Sequence, residues 1–234
     1  MDYAIIAAGE GSRLVQEGVE QPKPLVRLQG VPLIERLIHL FIDNGASSLS
    51  VIVNEQMINV REFVESLSLP VPLHLVVKST PSSMHSFHCL SPYLRGGRFC
   101  LTTVDTIFKP EEFSRYIAAF REEQADGLMG VTDYVDDEKP LYVNTEAGGR
   151  IYSFTDRAEA CSRYVSGGIY CLDGKALDVL DAAIREGQSR MRNFQRRLIT
   201  EGLHLKAWPF SKIIDVDHAA DIEKAEKFLS EPAV

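Results

Sequence analysis

Gly9-Glu10-Gly11-Ser12-Arg13 follows a short apolar run, Tyr3 to Ala8, and Lys23 stands ten residues beyond the arginine. Glycine removes the side-chain wall, so backbone N–H groups can approach a polyphosphate closely, and it accepts positive φ. Arg13 and Lys23 add two cations that a hydrophobic core has no use for. An anion is therefore expected at this corner of the fold. What is missing narrows its kind. A dinucleotide fingerprint needs a third glycine where Leu14 stands, and Asn54 rather than an acid ends the second strand. A P-loop needs Gly-Lys-Ser/Thr, which the segment lacks.

The elements that must position these residues alternate. Tyr3 to Ala8 reads as a strand, and Pro32 to Asn44 as a helix with an apolar stripe at Leu33, Leu37, Leu40 and Phe41, ended by Asn44-Gly45. Leu49 to Val53 and Leu73 to Val77 read as strands, and Ile58 to Leu67 and Ser83 to Leu94 as helices. Phe99 to Val104 is a buried strand delivering Asp105, and Pro110 to Glu123 is helical. The pattern then changes to strands at Leu128 to Thr132, Leu141 to Asn144, Arg150 to Phe154 and Tyr164 to Cys171, with Gly148-Gly149 as a hairpin turn. A last helix runs through Ile222, Ala225 and Phe228. Strands alternating with helices predict an α/β fold of three layers, α/β/α, around a mainly parallel twisted sheet. No linker or repeat divides residues 1–234, so one domain is expected, with a nucleotide-binding half of about 1–125 and an acceptor-binding half of about 126–234.

The 234 residues, 45% of them apolar, are enough to bury a sizeable core. A formal net charge of −8 argues against nucleic acid as a partner, because such binding needs a broad basic surface. No run approaches a membrane span, and the first strand lacks the length and basic flank of a signal peptide. Cys89, Cys100, Cys161 and Cys171 show no Cys-x-x-Cys pairing and read as reduced, mostly buried thiols of a cytoplasmic protein. His85 and His88 lack a partner for zinc, and the basic stretch Met191 to Arg197 reads as a solvated helix face.

Ala7-Ala8-Gly9-Glu10-Gly11-Ser12-Arg13-Leu14, then Pro22-Lys23-Pro24-Leu25, then Gly30-Val31-Pro32-Leu33-Ile34, resembles the signature of the nucleotidyltransferase family, the sugar-nucleotide pyrophosphorylase-like enzymes. Three linked pieces in order make the match specific, and the resemblance extends over nearly the whole chain. It implies the nucleotide-diphospho-sugar transferase fold and transfer of NMP from an NTP to a sugar 1-phosphate or similar phosphomonoester, with pyrophosphate released. It implies that Arg13 and Lys23 are the catalytic cations. Ala7, Ala8, Gly9, Gly11 and Ser12 would bind nucleotide, with Ala7 and Ala8 facing the base. Asp105, after its apolar strand, matches the family's metal aspartate for Mg2+ (or Mn2+); taken alone, it equally suits a turn or a helix cap. Asp217 is the second metal candidate, at the strand-to-helix junction near the C-terminus. Asp215, two residues earlier, is its rival. Asp221 suits the positive end of the last helix.

Ser82 and Ser83 replace the family's Gly-Thr-Ala, so they are candidates for nucleoside contact and equally for a helix N-cap. Ser166, Gly167 and Gly168, in Ser166-Gly167-Gly168-Ile169-Tyr170, resemble the family's acceptor-binding strand, and a glycine pair there calls for a bulge or a ligand. The implied partners are an NTP and a phosphorylated small-molecule acceptor, without nucleic acid or membrane, and a homodimer stays open. The chain stops soon after its last helix, so one activity is expected. A glycosyltransferase using a nucleotide sugar, and a non-catalytic nucleotide-binding regulatory relative, are the competing readings. The first would want Asp-x-Asp where Val104-Asp105-Thr106 stands.

Overall fold

Alternation along the first strand sets the layering. In the computed structural model, which describes residues 1–136, 138–160 and 162–232, β1 (Asp2–Ala7) sends Tyr3, Ile5 and Ala7 into one buried cluster. Ala4, Ile6 and the following Ala8 enter another on the opposite face. A strand buried on both faces needs a cover on each, and helices supply it. A short helix α1 (Ser12–Gln16) follows the glycine turn, and then come β2 (Arg27–Leu28), β3 (Val31–Pro32) and α2 (Leu33–Asp43). Next are β4 (Ser48–Val53), α3 (Ile58–Ser66), β5 (Leu73–Val77), α4 (Ser83–Leu90), β6 (Phe99–Thr103), β7 (Thr106–Ile107) and α5 (Pro110–Glu122). The chain continues through β8 (Gly127–Thr132), β9 (Tyr142–Thr145), β10 (Ile151–Thr155), β11 (Tyr164–Leu172), α6 (Lys175–Arg185) and α7 (Met191–Thr200). It ends in β12 (Leu205–Pro209), β13 (Ile214–Asp215) and α8 (Ala219–Ser230).

Helices α2, α3, α5 and α8 cover the Tyr3 face, and α4, α6 and α7 cover the Ala4 face. Burial at Leu33, Ile34, Leu37, Ile38 and Phe41 gives α2 its inward stripe. Tyr3 packs on Phe41 at 4.6 Å between ring centroids, and Phe41 on Phe113 at 5.5 Å. Strands β5, β4, β1 and β6 run parallel, with Ile5 opposite both Val51 and Thr102. Strand β11 then lies antiparallel to β6, and β8 and β9 flank it. The change of pattern expected after residue 125 is this switch to antiparallel pairing.

Most boundaries lie within about a residue of expectation, and two of the differences have a visible cause. The helix predicted to reach Leu94 stops at Leu90, and a 3-10 turn, Ser91–Tyr93, replaces its end. Pro92 has no N–H to continue the ladder. The strand delivering Asp105 ends at Thr103, and the Val104 N–H donates sideways to the Ile6 carbonyl (3.0 Å). Gly148 and Gly149 form the expected turn, both at positive φ. Cys100 and Cys171 are buried free thiols and Cys89 is half-buried; Cys161 lies outside the described residues.

The Ser166-Gly167-Gly168 stretch is a bulge. The pairing of β11 with β8 shifts register between Ser166 and Tyr170, and Gly168 sits at φ +72°. A Cβ on Gly167 would lie 2.1 Å from Ile213 Cδ1 and 3.2 Å from the Gly130 carbonyl. Gly167→Ala is therefore expected to cost about 1–3 kcal/mol by overpacking, read as a lower melting temperature. Adding Ile213→Val, which removes the clashing methyl, should recover part of that loss. A Gly167→Ala protein as stable as wild type would show that the bulge moves freely.

Candidate active site

Four charged side chains from three distant parts of the sequence meet at the C-terminal ends of β1 and β6. Lys23 lies in a 3-10 turn, Lys23–Leu25, held by a 2.8 Å bond from the Leu25 N–H to the Pro22 carbonyl. Prolines at 22 and 24 pre-set that turn. Gly11 packs on it at φ +63°, where a Cβ would approach Lys23 Cβ to 3.0 Å, so glycine is required there for both reasons. Asp105 follows β6. The Val216 N–H donates to its carbonyl (3.0 Å), which brings β13 and Asp217 alongside.

Lys23 Nζ then donates to Asp105 Oδ2 and to Asp217 Oδ1, both at 2.6 Å. Arg13 donates to the other oxygen of Asp217 (2.9 Å) and lies 3.7 Å from Glu138. Burial alone would depress Lys23, but the charges of Asp105 and Asp217 outweigh it and hold the ammonium above its ordinary value. Burial alone would raise Asp105, and the Lys23 charge overrides it and holds the carboxyl low. Asp215 differs. It is exposed to solvent at the end of β13, and what raises its carboxyl is first desolvation on the protein side and then the nearby charges of Asp105 and Asp217. Asp217, not its rival Asp215, shares Lys23 with Asp105.

A cleft opens on each side of this cluster. One, of about 550 Å³, is lined by Ala8, Gly9, Gly11, Ser12, Ser82 and Ser83, expected to bind nucleotide, together with the expected catalytic Lys23 and metal candidate Asp105. The other, of about 670 Å³, is lined by Ser166, Gly167, Arg13, Asp215 and Asp217 together with the start of α8. Two expectations are corrected. Ala7 is 1% exposed within the core under the Tyr3 face, so its side chain cannot face a base. Gly168 lies behind the second cleft, facing the Thr106 and Thr103 hydroxyls. Ser82 stands at the N-cap position of α4, but its hydroxyl pairs with His85 Nδ1 (2.9 Å) instead of capping the helix. Asp221 does serve the start of α8, accepting from the N–H groups of His218 (2.8 Å) and Asp217 (3.2 Å).

Several residues escaped the sequence reading. Asn54, 4% exposed, donates to the Ala8 carbonyl (3.2 Å) and accepts from the Ser79 hydroxyl (2.9 Å), bracing the wall of the first cleft. A lone polar residue ending an apolar strand was its available signal. Glu17 lies four residues after Arg13, on the same side of α1. Its carboxylate meets His218 Nδ1 (2.6 Å) and accepts from the Ala219 N–H (2.7 Å). Those two hydrogen bonds hold the Glu17 carboxyl below its ordinary value, and the bond to Glu17 raises His218. Tyr134, Asp136 and Lys224 also line the second cleft, with Lys224 Nζ 2.9 Å from Asp136 and 3.2 Å from Asp221. Among the described residues, no three His, Cys, Asp or Glu side chains converge as a complete metal cage. The two oxygens of Asp105 and Asp217 do converge on one cation, the Lys23 ammonium. A two-carboxylate oxygen set suits magnesium, which keeps waters and phosphate oxygens as its other ligands.

Parallel β5-β4-β1-β6, the glycine turn after β1 and helices on both faces define the nucleotide-diphospho-sugar transferase fold. Residues 3–199 match the model of the MobA-like NTP transferase domain, and the chain belongs to that family. It is 26% identical over 245 residues to a bifunctional IPC transferase and DIPP synthase of Aquifex aeolicus, covering 98% of this chain and 52% of that protein. It is 27% identical over 156 residues to a CMP-5'-(3-aminopropyl)phosphonate synthase of Streptomyces rubellomurinus, covering 58% of this chain and 24% of that protein. The chain thus spans from about a quarter to half of the length of these curated relatives. The inositol-1-phosphate CTP transferase of T. maritima superposes with a TM-score of 0.81 at 22% identity, covering 100% of this chain and 98% of that one. No helix among the described residues is long and apolar enough to cross a membrane.

Proposed function

We propose that this chain transfers a nucleoside monophosphate from an NTP to a phosphorylated small-molecule acceptor, a sugar 1-phosphate or similar phosphomonoester, with release of pyrophosphate. The observation that carries the reading is the Lys23–Asp105–Asp217 cluster between two clefts, the arrangement that joining two phosphates requires. An acceptor phosphate oxygen forms a bond to the α-phosphorus while the bond from that phosphorus to the β-phosphate bridge breaks in line. The attacking group is already an anion, so no side chain need remove a proton, and rate comes from positioning and charge stabilisation.

The Gly9–Ser12 turn cradles the triphosphate, and Ala8, Ser82 and Ser83 face the nucleoside. Lys23 serves the α-phosphate as a point charge; Arg13, expected beside the departing pyrophosphate, lines the second cleft next to Asp217 and there offsets charge on the acceptor phosphate. Ser166 and Gly167 hold the acceptor, with Gly168 shaping their bulge. The second cleft draws Arg13 and Glu17 from the first half of the chain, so the halves proposed at about 1–125 and 126–234 share it. Asp105 and Asp217 would hold Mg2+ (or Mn2+), which when bound supplies Lewis-acid polarisation of phosphate oxygens.

Relatives whose names specify CTP or CMP and inositol 1-phosphate make CTP with inositol 1-phosphate the first pair to try. Pyrophosphate release with magnesium, crossing four NTPs against inositol 1-phosphate, hexose 1-phosphates and aminoalkyl phosphonates, tests the reading. Release that requires one NTP and one acceptor together is the expected result. Stabilisation by an NTP with no release from any pair would point to a binding role instead.

A further inference from the structure

We propose that Lys23 is a resident counter-ion that closes the Asp105–Asp217 site to a divalent cation until a polyphosphate draws its ammonium away, so that metal loads with nucleotide and not before it. The inference rests on the nucleotidyltransferase reading of this site. Its ground is geometric. The oxygens that would hold the metal are both 2.6 Å from one ammonium nitrogen. Lys23 and the metal therefore compete for the same two ligands and cannot both have them at this spacing. Lys23 is 8% exposed, so its charge is poorly screened by water.

Charge balance points the same way. In the cluster, Lys23 and Arg13 face Asp105, Asp217 and, 3.7 Å from Arg13, Glu138, so two cations meet three carboxylates. Adding a divalent cation alone leaves excess positive charge beside Lys23 and Asp105, whose side chains are 10% and 19% exposed, which is costly. A triphosphate brings the missing negative charge into the cleft that Lys23 already lines beside Gly9, Gly11 and Ser12. It offers the ammonium new acceptors and frees the carboxylates in the same event. The lysine stem can swing between two sets of oxygens because its charge sits on a flexible chain.

The test reads metal binding, not turnover. Mn2+ is titrated against the nucleotide-free protein, with bound ion followed by loss of the free-ion electron paramagnetic resonance signal. Wild type should bind Mn2+ weakly, and Lys23→Met should bind it about tenfold or more tightly. Lys23→Arg keeps the charge and should stay as weak as wild type. Adding Asp105→Asn to Lys23→Met should abolish the gain. Equal Mn2+ affinity in wild type and Lys23→Met would overturn the proposal. Should Lys23→Met fail to fold, wild type decides: tight nucleotide-free Mn2+ binding that Asp105→Asn removes would also overturn it. Neither result touches the transferase reading, which stands or falls on pyrophosphate release.

Discussion

Lys23→Met is expected to lower turnover by about 10²–10³-fold, with a smaller effect on nucleotide affinity, because its charge acts where negative charge rearranges. The loss should appear in kcat and in kcat/KM together. The same substitution should also destabilise the fold. Lys23 and Asp105 have side chains 10% and 19% exposed, so removing the lysine leaves a largely desolvated carboxylate with its main partner gone. A cost on the order of 2 kcal/mol at neutral pH is expected, less than for a fully buried pair because Arg13 stays on Asp217. The sign with pH follows from the direction of the shift. Lys23 holds Asp105 low in the folded protein, so that stabilisation is present above the ordinary aspartate range, about pH 4, and fades as pH falls through the folded value. Wild type and variant should therefore converge in melting temperature in acid. A constant gap down to low pH would mean that the lysine supports the fold through packing alone.

Three neighbouring aspartates should separate in effect. Asp105→Asn and Asp217→Asn are each expected to reduce turnover by about 10³-fold, since each removes a converging oxygen from the cluster and leaves Lys23 one acceptor short. Asp215→Asn should cost less than about tenfold, because Asp215 shares no ion pair with Lys23. Its stability effect has the opposite sign. Asp215 is pushed up in the fold, so its charge works against folding as pH rises through the ordinary aspartate value, and that penalty is full above the folded value. Asparagine removes the charge, so Asp215→Asn should melt at or above the wild-type temperature near neutral pH and lose any advantage in acid. Steady-state rates and melting curves on the three variants check both halves. A severe loss in Asp215→Asn with mild loss in Asp217→Asn would reverse the assignment.

Much of this site was readable because its chemistry is local. Gly9, Gly11, Ser12 and Arg13 form one turn, and Lys23 follows between two prolines whose rigidity is itself a sequence property. Asp105 was found from the apolar strand before it. The pairing of Asp217 with Lys23 was not readable, because it depends on Val216 bonding to the Asp105 carbonyl across more than a hundred residues. Alternation could not separate Asp215 from Asp217, because residues two apart share a face of a strand; β13 ends at Asp215, and the chain beyond it turns Asp217 to the lysine. Ala7 was misplaced for a related reason: a strand buried on both faces shows no polar side, so its phase is hidden in sequence. The second cleft was least legible. Its walls come from α1, β8, β11 and α8, and residues such as Glu17, Tyr134 and Lys224 gain meaning only when those elements meet. Helix α6 and strand β12 were passed over, although Ala176, Leu177, Leu180 and Ala183 carry helical spacing.

The most direct measurement is a phosphorus NMR time course of the wild-type protein with CTP, magnesium and inositol 1-phosphate, repeated with the other nucleotide and acceptor pairs. Growth of a new diphosphate ester, matched by pyrophosphate and absent in Asp105→Asn, is the expected result. NTP signals that stay unchanged with every acceptor, or that decay to nucleoside diphosphate and inorganic phosphate, would contradict nucleotidyl transfer at this site.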